Sequence, residues 1–189
     1  LNHTKLDHNK KPDQRLILIP TGGSSGQVKF VCQCRYSLVT SAVGFCDYFG
    51  ANKAVNAYCV LPLYLVSGLM QAMRTLVSGG QLFLANFKDA NFKNLCLSPA
   101  SSSPRLPRAS STFISLVPTQ LERLLQAEKA EWLCQFEGVL LGGAPPWAEL
   151  LRKAATANIP ICLSYGMTET AAMVSAIDSE AFTGEWPDC

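Results

Sequence analysis

The sequence predicts an α/β fold: a mostly parallel sheet covered by helices. Three observations predict it. Runs such as Leu16–Ile19 and Val139–Leu141 are apolar, too short for helices and bounded by proline or glycine. Between such runs lie stretches whose apolar residues recur three and four positions apart, the stripe of an amphipathic helix. The two kinds of segment alternate along the chain, as they do where crossover helices join parallel strands.

Taken in order, Leu16–Ile19 reads as a buried strand that ends at Pro20 and a Gly/Ser cluster. Gln27–Cys34 mixes β-formers with polar residues and reads as a second strand. Ser37 is placed to cap a helix through about Phe49, with Leu38, Ala42, Phe45, Cys46 and Phe49 near helical spacing. Tyr58–Leu63 is β-rich. A helix then starts at Ser67 or Gly68, carries Leu69, Met73, Leu76 and Val77 on one side, and stops at Gly79-Gly80. Gln81–Ala85 and Phe113–Val117 read as strands. Between them, Ser98–Ser111 is a loop or linker by its Ser/Pro composition. Thr119 with Glu122 forms a capping box for a helix carrying Leu121, Leu124 and Leu125. Val139–Leu141 is a strand closed by Gly142-Gly143. Pro146 suits the first position of a helix to Ala157 with Leu150, Leu151 and Ala154 inward. Ile159–Leu163 is the last expected strand and leads into a loop, Ser164–Thr170. Trp132 and Trp147 are expected to pack on helices.

Composition narrows the function classes. The chain has 189 residues, 48% apolar and 16% charged, enough apolar matter for a real core and too much for a disordered segment. A net charge of +2 leaves no basic stripe for nucleic acid. The apolar runs, such as Cys59–Val66, are far too short to span a bilayer, and Leu1–Arg15 is too polar for a signal peptide. Both ends read as cut, so a longer parent protein is expected. The eight cysteines include no Cys-x-x-Cys pair; Cys32 and Cys34 alone are close, with no second pair or His to complete a zinc site. Mostly buried, reduced thiols and a cytoplasmic location are expected.

Ligands of such sheets bind at the carboxyl ends of strands. Three loops with distinctive chemistry leave strand ends here. In Thr21-Gly-Gly-Ser-Ser-Gly-Gln-Val-Lys29, glycines turn backbone N–H groups toward one point, hydroxyls add donors and Lys29 adds charge, a set that suits a polyphosphate. Its glycine spacing fits neither a Walker A loop nor a dinucleotide fingerprint. Gly22-x-Ser24-x-Gly26 also matches a hydrolase elbow, but that needs a helix after the serine and a later His, and His3 and His8 both precede it. The second loop is Gly142–Pro146. The third, Ser164–Thr170, offers Tyr165 for stacking on a base, Thr168 for a phosphate and Glu169 for Mg²⁺, a hard cation that prefers oxygen.

In this order the motifs resemble the adenylate-forming acyl-CoA ligase superfamily. Gly23-Ser-Ser-Gly-Gln-Val-Lys29 follows its phosphate loop, with Gly22 at the first hydroxyl position. Leu61-Pro-Leu-Tyr-Leu-Val-Ser-Gly68 follows its Leu-Pro-Leu-x-His-x-x-Gly segment, Gly142–Pro145 its Gly-Gly-Ala-Pro, and Tyr165–Glu169 its Tyr-Gly-Met-Thr-Glu. The resemblance covers roughly Leu16–Ala85 and Phe113–Ala176. Within the superfamily, Leu116–Leu121 and the segments around it look most like the o-succinylbenzoate–CoA ligases, the cyanobacterial type above all. The chain is thereby expected to be part of a large N-terminal AMP-binding domain.

The resemblance implies that ATP activates a carboxylic acid to an acyl-adenylate, releasing pyrophosphate, and that CoA then displaces AMP. It implies roles as well. Thr21, Gly22, Gly23, Ser24, Ser25, Gly26 and Lys29 hold the β- and γ-phosphates. Gly142, Gly143, Ala144 and Tyr165 flank the adenine, Thr168 contacts phosphate and Glu169 holds Mg²⁺. Lys29, Thr168 and Glu169 form the catalytic group. Leu65, Ser67 and Gly68 line the acyl site, which the Gly166-Met167 backbone, itself beside the nucleotide, also borders. ATP, Mg²⁺, CoA and a small carboxylic acid are thus the expected ligands, with a homo-oligomer allowed.

The sequence departs from the pattern in three ways. Val28 replaces the loop proline, Leu65 replaces the histidine, and no ribose-binding aspartate, hinge or lysine-bearing C-terminal domain follows Ala176. Phe182-Thr-Gly-Glu185 comes too soon to be the ribose motif. Three rival readings are a non-catalytic nucleotide-binding remnant, another acyl- or aryl-CoA synthetase, and, most remote, a serine hydrolase.

Overall fold

The computed structural model describes residues 15–21, 28–49, 54–87 and 112–178. Ser98–Ser111, Cys96 and Cys189 lie outside the described residues, as do Gly22 to Gly26. The described chain runs β1 (Leu16–Thr21), β2 (Lys29–Cys34), α1 (Arg35–Tyr48), β3 (Asn56–Cys59), α2 (Val66–Ser78), β4 (Leu82–Leu84), β5 (Thr112–Leu116), α3 (Pro118–Gln126), α4 (Ala130–Leu133), β6 (Gly138–Leu141), α5 (Ala148–Thr156), β7 (Ile161–Met167), a 3₁₀ turn (Thr168–Thr170) and β8 (Ala172–Asp178).

The expected parallel sheet is present. Its strand order is β4-β3-β5-β6-β7-β8, parallel throughout except that β8 runs antiparallel to β7. β1 and β2 form a separate antiparallel hairpin. Alternation along the central strands feeds two cores. Ile114, Leu116, Val139, Leu141 and Ile161 face α3, α4 and α5 with Leu121, Leu124, Trp132, Leu133 and Leu150. Phe113, Leu140 and Cys162 face the other way, onto Phe45 and Cys46 of α1. Burying each large apolar side chain contributes roughly 1.5–3 kcal/mol, so the central strands, buried on both sides, are the rigid part of the molecule. A third cluster, Ile19, Leu38, Ala42, Met70 and Ala171, joins the hairpin, α1, α2 and the turn after β7.

Several elements differ from expectation, each for a local reason. α1 starts two residues before Ser37, because the Cys34 thiol accepts the Ser37 N–H and caps the helix itself. α3 begins at Pro118, and Gln120 rather than Glu122 reaches back: its Oε1 accepts the Val117 N–H at 3.0 Å. α5 starts at Ala148, and Trp147 is exposed rather than packed, whereas Trp132 is buried. On α2 the buried side includes Met70, Gln71, Arg74 and Thr75, while Leu76 is 76% exposed, so the inward stripe is partly polar. Gly79 ends α2 in the left-handed conformation, as a glycine stop should. β3 ends at Cys59, leaving Pro62 in a turn. β7 begins at Ile161 and runs on to Met167, and β8, with α4, had no expected counterpart. All six described cysteines are free: Cys46, Cys59 and Cys162 are buried, but Cys32 and Cys134 are exposed. No helix among the described residues is long and apolar enough to cross a membrane.

Candidate functional site

Parallel strands deliver the chain ends of β3, β5, β6 and β7 to one edge of the sheet. Those of the predicted residues that are described gather there or beside it. At the hairpin, register sets Thr21 opposite Lys29, and the Thr21 hydroxyl donates to the Lys29 carbonyl at 3.4 Å. These two residues form the mouth of the glycine-rich loop, and the Lys29 side chain is exposed. A strand, not a helix, follows the loop, so the elbow required of a serine hydrolase is not made.

At the end of β6, the Gly142 N–H donates to the Leu116 carbonyl at 3.2 Å. A side chain at Gly142 would lie 2.6 Å from the Ser164 hydroxyl and 2.8 Å from its carbonyl oxygen. Gly143 holds φ at +82°, which only glycine adopts without strain. The Ser164 hydroxyl donates to the Leu141 carbonyl at 3.3 Å. The Gly-Gly-Ala-Pro segment is thus laid directly on the start of the Tyr165–Glu169 motif, and Ala144 is exposed beside it.

Tyr165, Gly166 and Met167 were expected in a loop. They lie in β7, because β8 supplies partners as far as Met167↔Ala172, through a bulge at Tyr165/Gly166. The bulge brings the Ala172 carbonyl to within 1.9 Å of where a Gly166 Cβ would sit. Tyr165 is 62% exposed, its ring open to solvent. Thr168, Glu169 and Thr170 form the tight turn between the strands. The Met167 N–H donates to Thr170 Oγ1 at 3.1 Å, and that hydroxyl reaches the Met167 and Ala172 carbonyls at 3.0 and 2.8 Å. Ala171 and Ala172 follow at φ +54° and +75°, a left-handed pair that costs roughly 1–2 kcal/mol per residue. The Ser41 hydroxyl of α1 donates to the Ala171 carbonyl at 2.8 Å and fixes it there. Glu169 is exposed and Thr168 half-buried.

Gln33 was not singled out from sequence. It is 5% exposed on the inner side of β2. Its Nε2 donates to the carbonyls of Thr168 at 2.7 Å and Glu169 at 3.0 Å, and its Oε1 accepts the Ser37 hydroxyl at 2.7 Å. The β1–β2 hairpin is thereby fastened to the turn that carries Thr168 and Glu169. A polar residue on the inward row of a strand was the only sequence signal, and it does not say what the amide reaches 135 positions away.

The third group, Leu65, Ser67 and Gly68, forms the turn from β3 into α2. The Leu65 N–H donates to the Pro62 carbonyl at 3.1 Å, and the Leu65 carbonyl accepts the N–H groups of Gly68 and Leu69. A Cβ on Gly68 would meet the Pro62 oxygen at 2.2 Å. Leu65 and Ser67 are half-buried. This turn occupies the same sheet edge as the other motifs, and its own hydrogen bonds tie it to Pro62 and α2.

Two side chains near these elements have altered acidity. Cys34 lies below the ordinary thiol value because hydrogen bonds from Ser37, its backbone N–H foremost, favour the thiolate. Arg74 is buried between α1 and α2, its Cζ 3.9 Å from the centroid of the Phe45 ring, and its Nε has no hydrogen-bond partner. Desolvation pulls its guanidinium down to about 10. Among the described residues no three metal-binding side chains converge. Glu169 is a single exposed carboxylate, the kind of ligand Mg²⁺ takes when water and substrate phosphates complete its shell. A cavity of about 720 Å³ lies between α1 and β8, lined by Tyr36, Thr40, Phe45, Tyr48, Met173 and Val174 among others; it holds none of the predicted residues.

Comparison with known proteins gives these features a context. Residues 2–188 match the family model described as AMP-binding enzyme. A 2-succinylbenzoate–CoA ligase of Enterococcus faecalis is 30% identical over 181 residues, which is 95% of this chain and 36% of that protein. One from Staphylococcus aureus is 34% identical over 150 residues, 79% of this chain and 28% of that one. Among solved structures, wild-type E. coli MenE with a bound analogue of OSB-AMS superposes with a TM-score of 0.67 at 28% identity, over 90% of this chain and 34% of that one. The o-succinylbenzoate CoA synthetase of Bacillus subtilis in complex with the acyl-adenylate intermediate OSB-AMP gives 0.67 at 25% identity, over 86% and 32%. The chain spans about a third of the length of the curated relatives it matches.

Proposed function

Because the chain belongs to the AMP-binding enzyme family, we propose that the intact protein activates a carboxylic acid with ATP and passes the acyl group to CoA, with 2-succinylbenzoate as the acid. The observation that carries this reading is the fastening of the phosphate-loop hairpin to the Thr168–Glu169 turn, beside the Gly142–Ser164 contact. These contacts support reading that end of the sheet as a nucleotide site. The relatives named as 2-succinylbenzoate–CoA ligases support the choice of acid.

A carboxylate is a poor acyl electrophile, and transfer of AMP to it supplies a leaving group. Catalysis of such a step rests on positioning and charge stabilisation. In this reading Lys29 and the Thr21–Gly26 segment neutralise and orient the β- and γ-phosphates. Thr168 donates to the α-phosphate, and Tyr165 stacks on the adenine against Gly142, Gly143 and Ala144. Glu169 would hold Mg²⁺, which would supply positive charge to neutralise the phosphates. Leu65, Ser67, Gly68 and the Gly166-Met167 backbone border the acyl group. Leu65 fills space there but offers no hydrogen bond, so the acid is oriented by other groups.

The 189 residues make up part of an N-terminal domain, and a further domain bearing the catalytic lysine completes the reaction. Alone, they turn over little or no substrate. Free, partly buried thiols favour a reducing, cytoplasmic setting.

The test is pyrophosphate release by the intact gene product with ATP, Mg²⁺ and 2-succinylbenzoate, run against a panel of aryl and fatty acids. Release with 2-succinylbenzoate is the expected result. Release with another acid alone keeps the chemistry and overturns the substrate. Binding of ATP with no release from any acid marks a non-catalytic nucleotide-binding protein.

A further inference from the structure

We propose that Gln33 is a positioning residue for the nucleotide step: its amide sets the distance between the Lys29 hairpin and the Thr168–Glu169 turn. The inference rests on the proposed function for its readout, and on geometry for its substance.

The side chain is fully used. A primary amide has two N–H donors and a carbonyl acceptor. Both donors go to successive carbonyls of the turn, Thr168 at 2.7 Å and Glu169 at 3.0 Å. The carbonyl takes the Ser37 hydroxyl at 2.7 Å, which fixes the amide so that its NH₂ end faces the turn. Gln33 is 5% exposed, so water does not compete for these bonds. It stands four positions past Lys29 on the same strand, and residues two and four apart on a strand share a face. One inward row of β2 therefore runs from the lysine to the clamp.

The clamp grips a turn whose next residue, Ala171, is buried and held by Ser41, and whose Thr168 and Glu169 carbonyls both accept from Gln33. Thr168–Thr170 is one 3₁₀ turn held internally by Thr170 and followed by two left-handed alanines. Across from it, β1 and β2 form a sheet of two strands, which is marginal on its own. The two pieces, one carrying the cation and one the carboxylate, meet in the apolar cluster that holds Ile19 and Ala171, and the buried amide adds the directional hydrogen bonds between them. A displacement of about 1 Å in such a constellation is enough to cost about a hundredfold in rate.

The experiment uses the intact protein and the variants Gln33→Leu, Gln33→Glu and Ser37→Ala. The first step is read as pyrophosphate release, and the second as thioester formation from supplied acyl-adenylate. Mg-ATP binding is read by calorimetry. Gln33→Leu is expected to lose about tenfold to a hundredfold in the first step and at least tenfold in Mg-ATP affinity, with the second step within about twofold. Gln33→Glu turns acceptor oxygens toward two carbonyls, so its first-step activity relative to wild type rises as pH falls and the carboxyl gains a proton to donate. A residue that merely supports the fold would lower both steps together and leave their ratio unchanged at every pH. Ser37→Ala keeps Gln33 but frees its amide to turn, and carries the test if Gln33→Leu does not fold; a loss of several-fold confined to the first step is expected.

The proposal is overturned if folded variants keep the first step and Mg-ATP affinity, or if both steps fall in parallel. A wild-type protein that binds Mg-ATP but releases no pyrophosphate overturns the proposed function alone, and the loss of Mg-ATP affinity in Gln33→Leu then still decides the role of Gln33. A wild type that binds no Mg-ATP overturns both.

Discussion

Arg74 carries a charge into the α1–α2 interface with an aromatic ring as its recorded partner. Burial holds its guanidinium near 10, below its value in an unfolded chain. The fold therefore penalises the cation relative to the unfolded chain, although the cation still predominates below about pH 10. The cost is present throughout the range below about pH 10 and is relieved only as pH rises through that value. Arg74→Met keeps the stem and removes the charge, so its melting temperature is expected to rise, by about 2–4 °C for each kcal/mol recovered. Arg74→Ala loses the stem beside Phe45 as well, and should melt below wild type. A lower Tm for the Met variant would mean that the ring contact outweighs desolvation. The thiols offer a second titration. Cys34 is shifted down by hydrogen bonds from Ser37, whereas Cys134 is shifted up, by desolvation and then by Glu131. Alkylation of Cys34, followed by mass spectrometry across a pH series, should reach its plateau at lower pH than that of Cys134. Equal profiles would remove the helix-capping account of Cys34.

Among the elements, the β7–β8 bulge depends most on one atom count. Gly166→Ala would press a methyl onto the Ala172 carbonyl. It is expected to destabilise by roughly 1–3 kcal/mol in urea unfolding, as overpacking does, while Gly44→Ala, with open space around its Cβ, stays near wild type. Equal midpoints for the two would show that the bulge relaxes freely. The bulge also marks where sequence reading stopped. The buried strands β5 and β6 were legible because short, mostly apolar runs closed by Pro118 and by Gly142-Gly143 have few other readings. The glycines at 142, 143 and 166 were legible as chemistry but not as contacts: that Ser164 fills the space above Gly142 depends on strands adjacent only in three dimensions. β8 went unseen because Val174 and Ile177 face solvent and Met173 and Ala176 face α1, so its pattern is apolar on both sides with no turn signal before it. On α2, Leu69, Met73 and Val77 of the expected stripe pack against the third cluster, while burial of Gln71 and Arg74 and exposure of Leu76 are outcomes of tertiary packing that periodicity does not encode.

At the scale of the molecule, the hairpin is the exposed part. Its inner row places Ile19 and Gln33 against α1 and the turn, but its outer row presents Leu16 and Leu18, each 62% exposed, and Phe30, 59% exposed. Contiguous apolar surface of this kind promotes association. Leu18→Lys with Phe30→Lys is expected to shift the 189-residue chain toward monomer in light scattering, with far-UV dichroism unchanged. An unaltered mass distribution would place any association elsewhere, the unpaired edge of β8 being the next surface to mutate.

The bond from Gln33 to Thr168 also has a meaning in time. It joins residues 135 apart, whereas β5 pairs with β6 across two helices and β6 with β7 across one. Contacts that close long loops form late, because the entropy of closure is met before they contribute. The sheet centre around Trp132 should therefore become native before the hairpin and turn meet. During refolding, near-UV dichroism from that core should recover ahead of nucleotide binding; simultaneous recovery would show that the clamp assembles with the core. Under the proposed function, that order gives a chain that hides its hydrophobic interior first and completes its nucleotide site last, so that nucleotide binding would report the completion of folding.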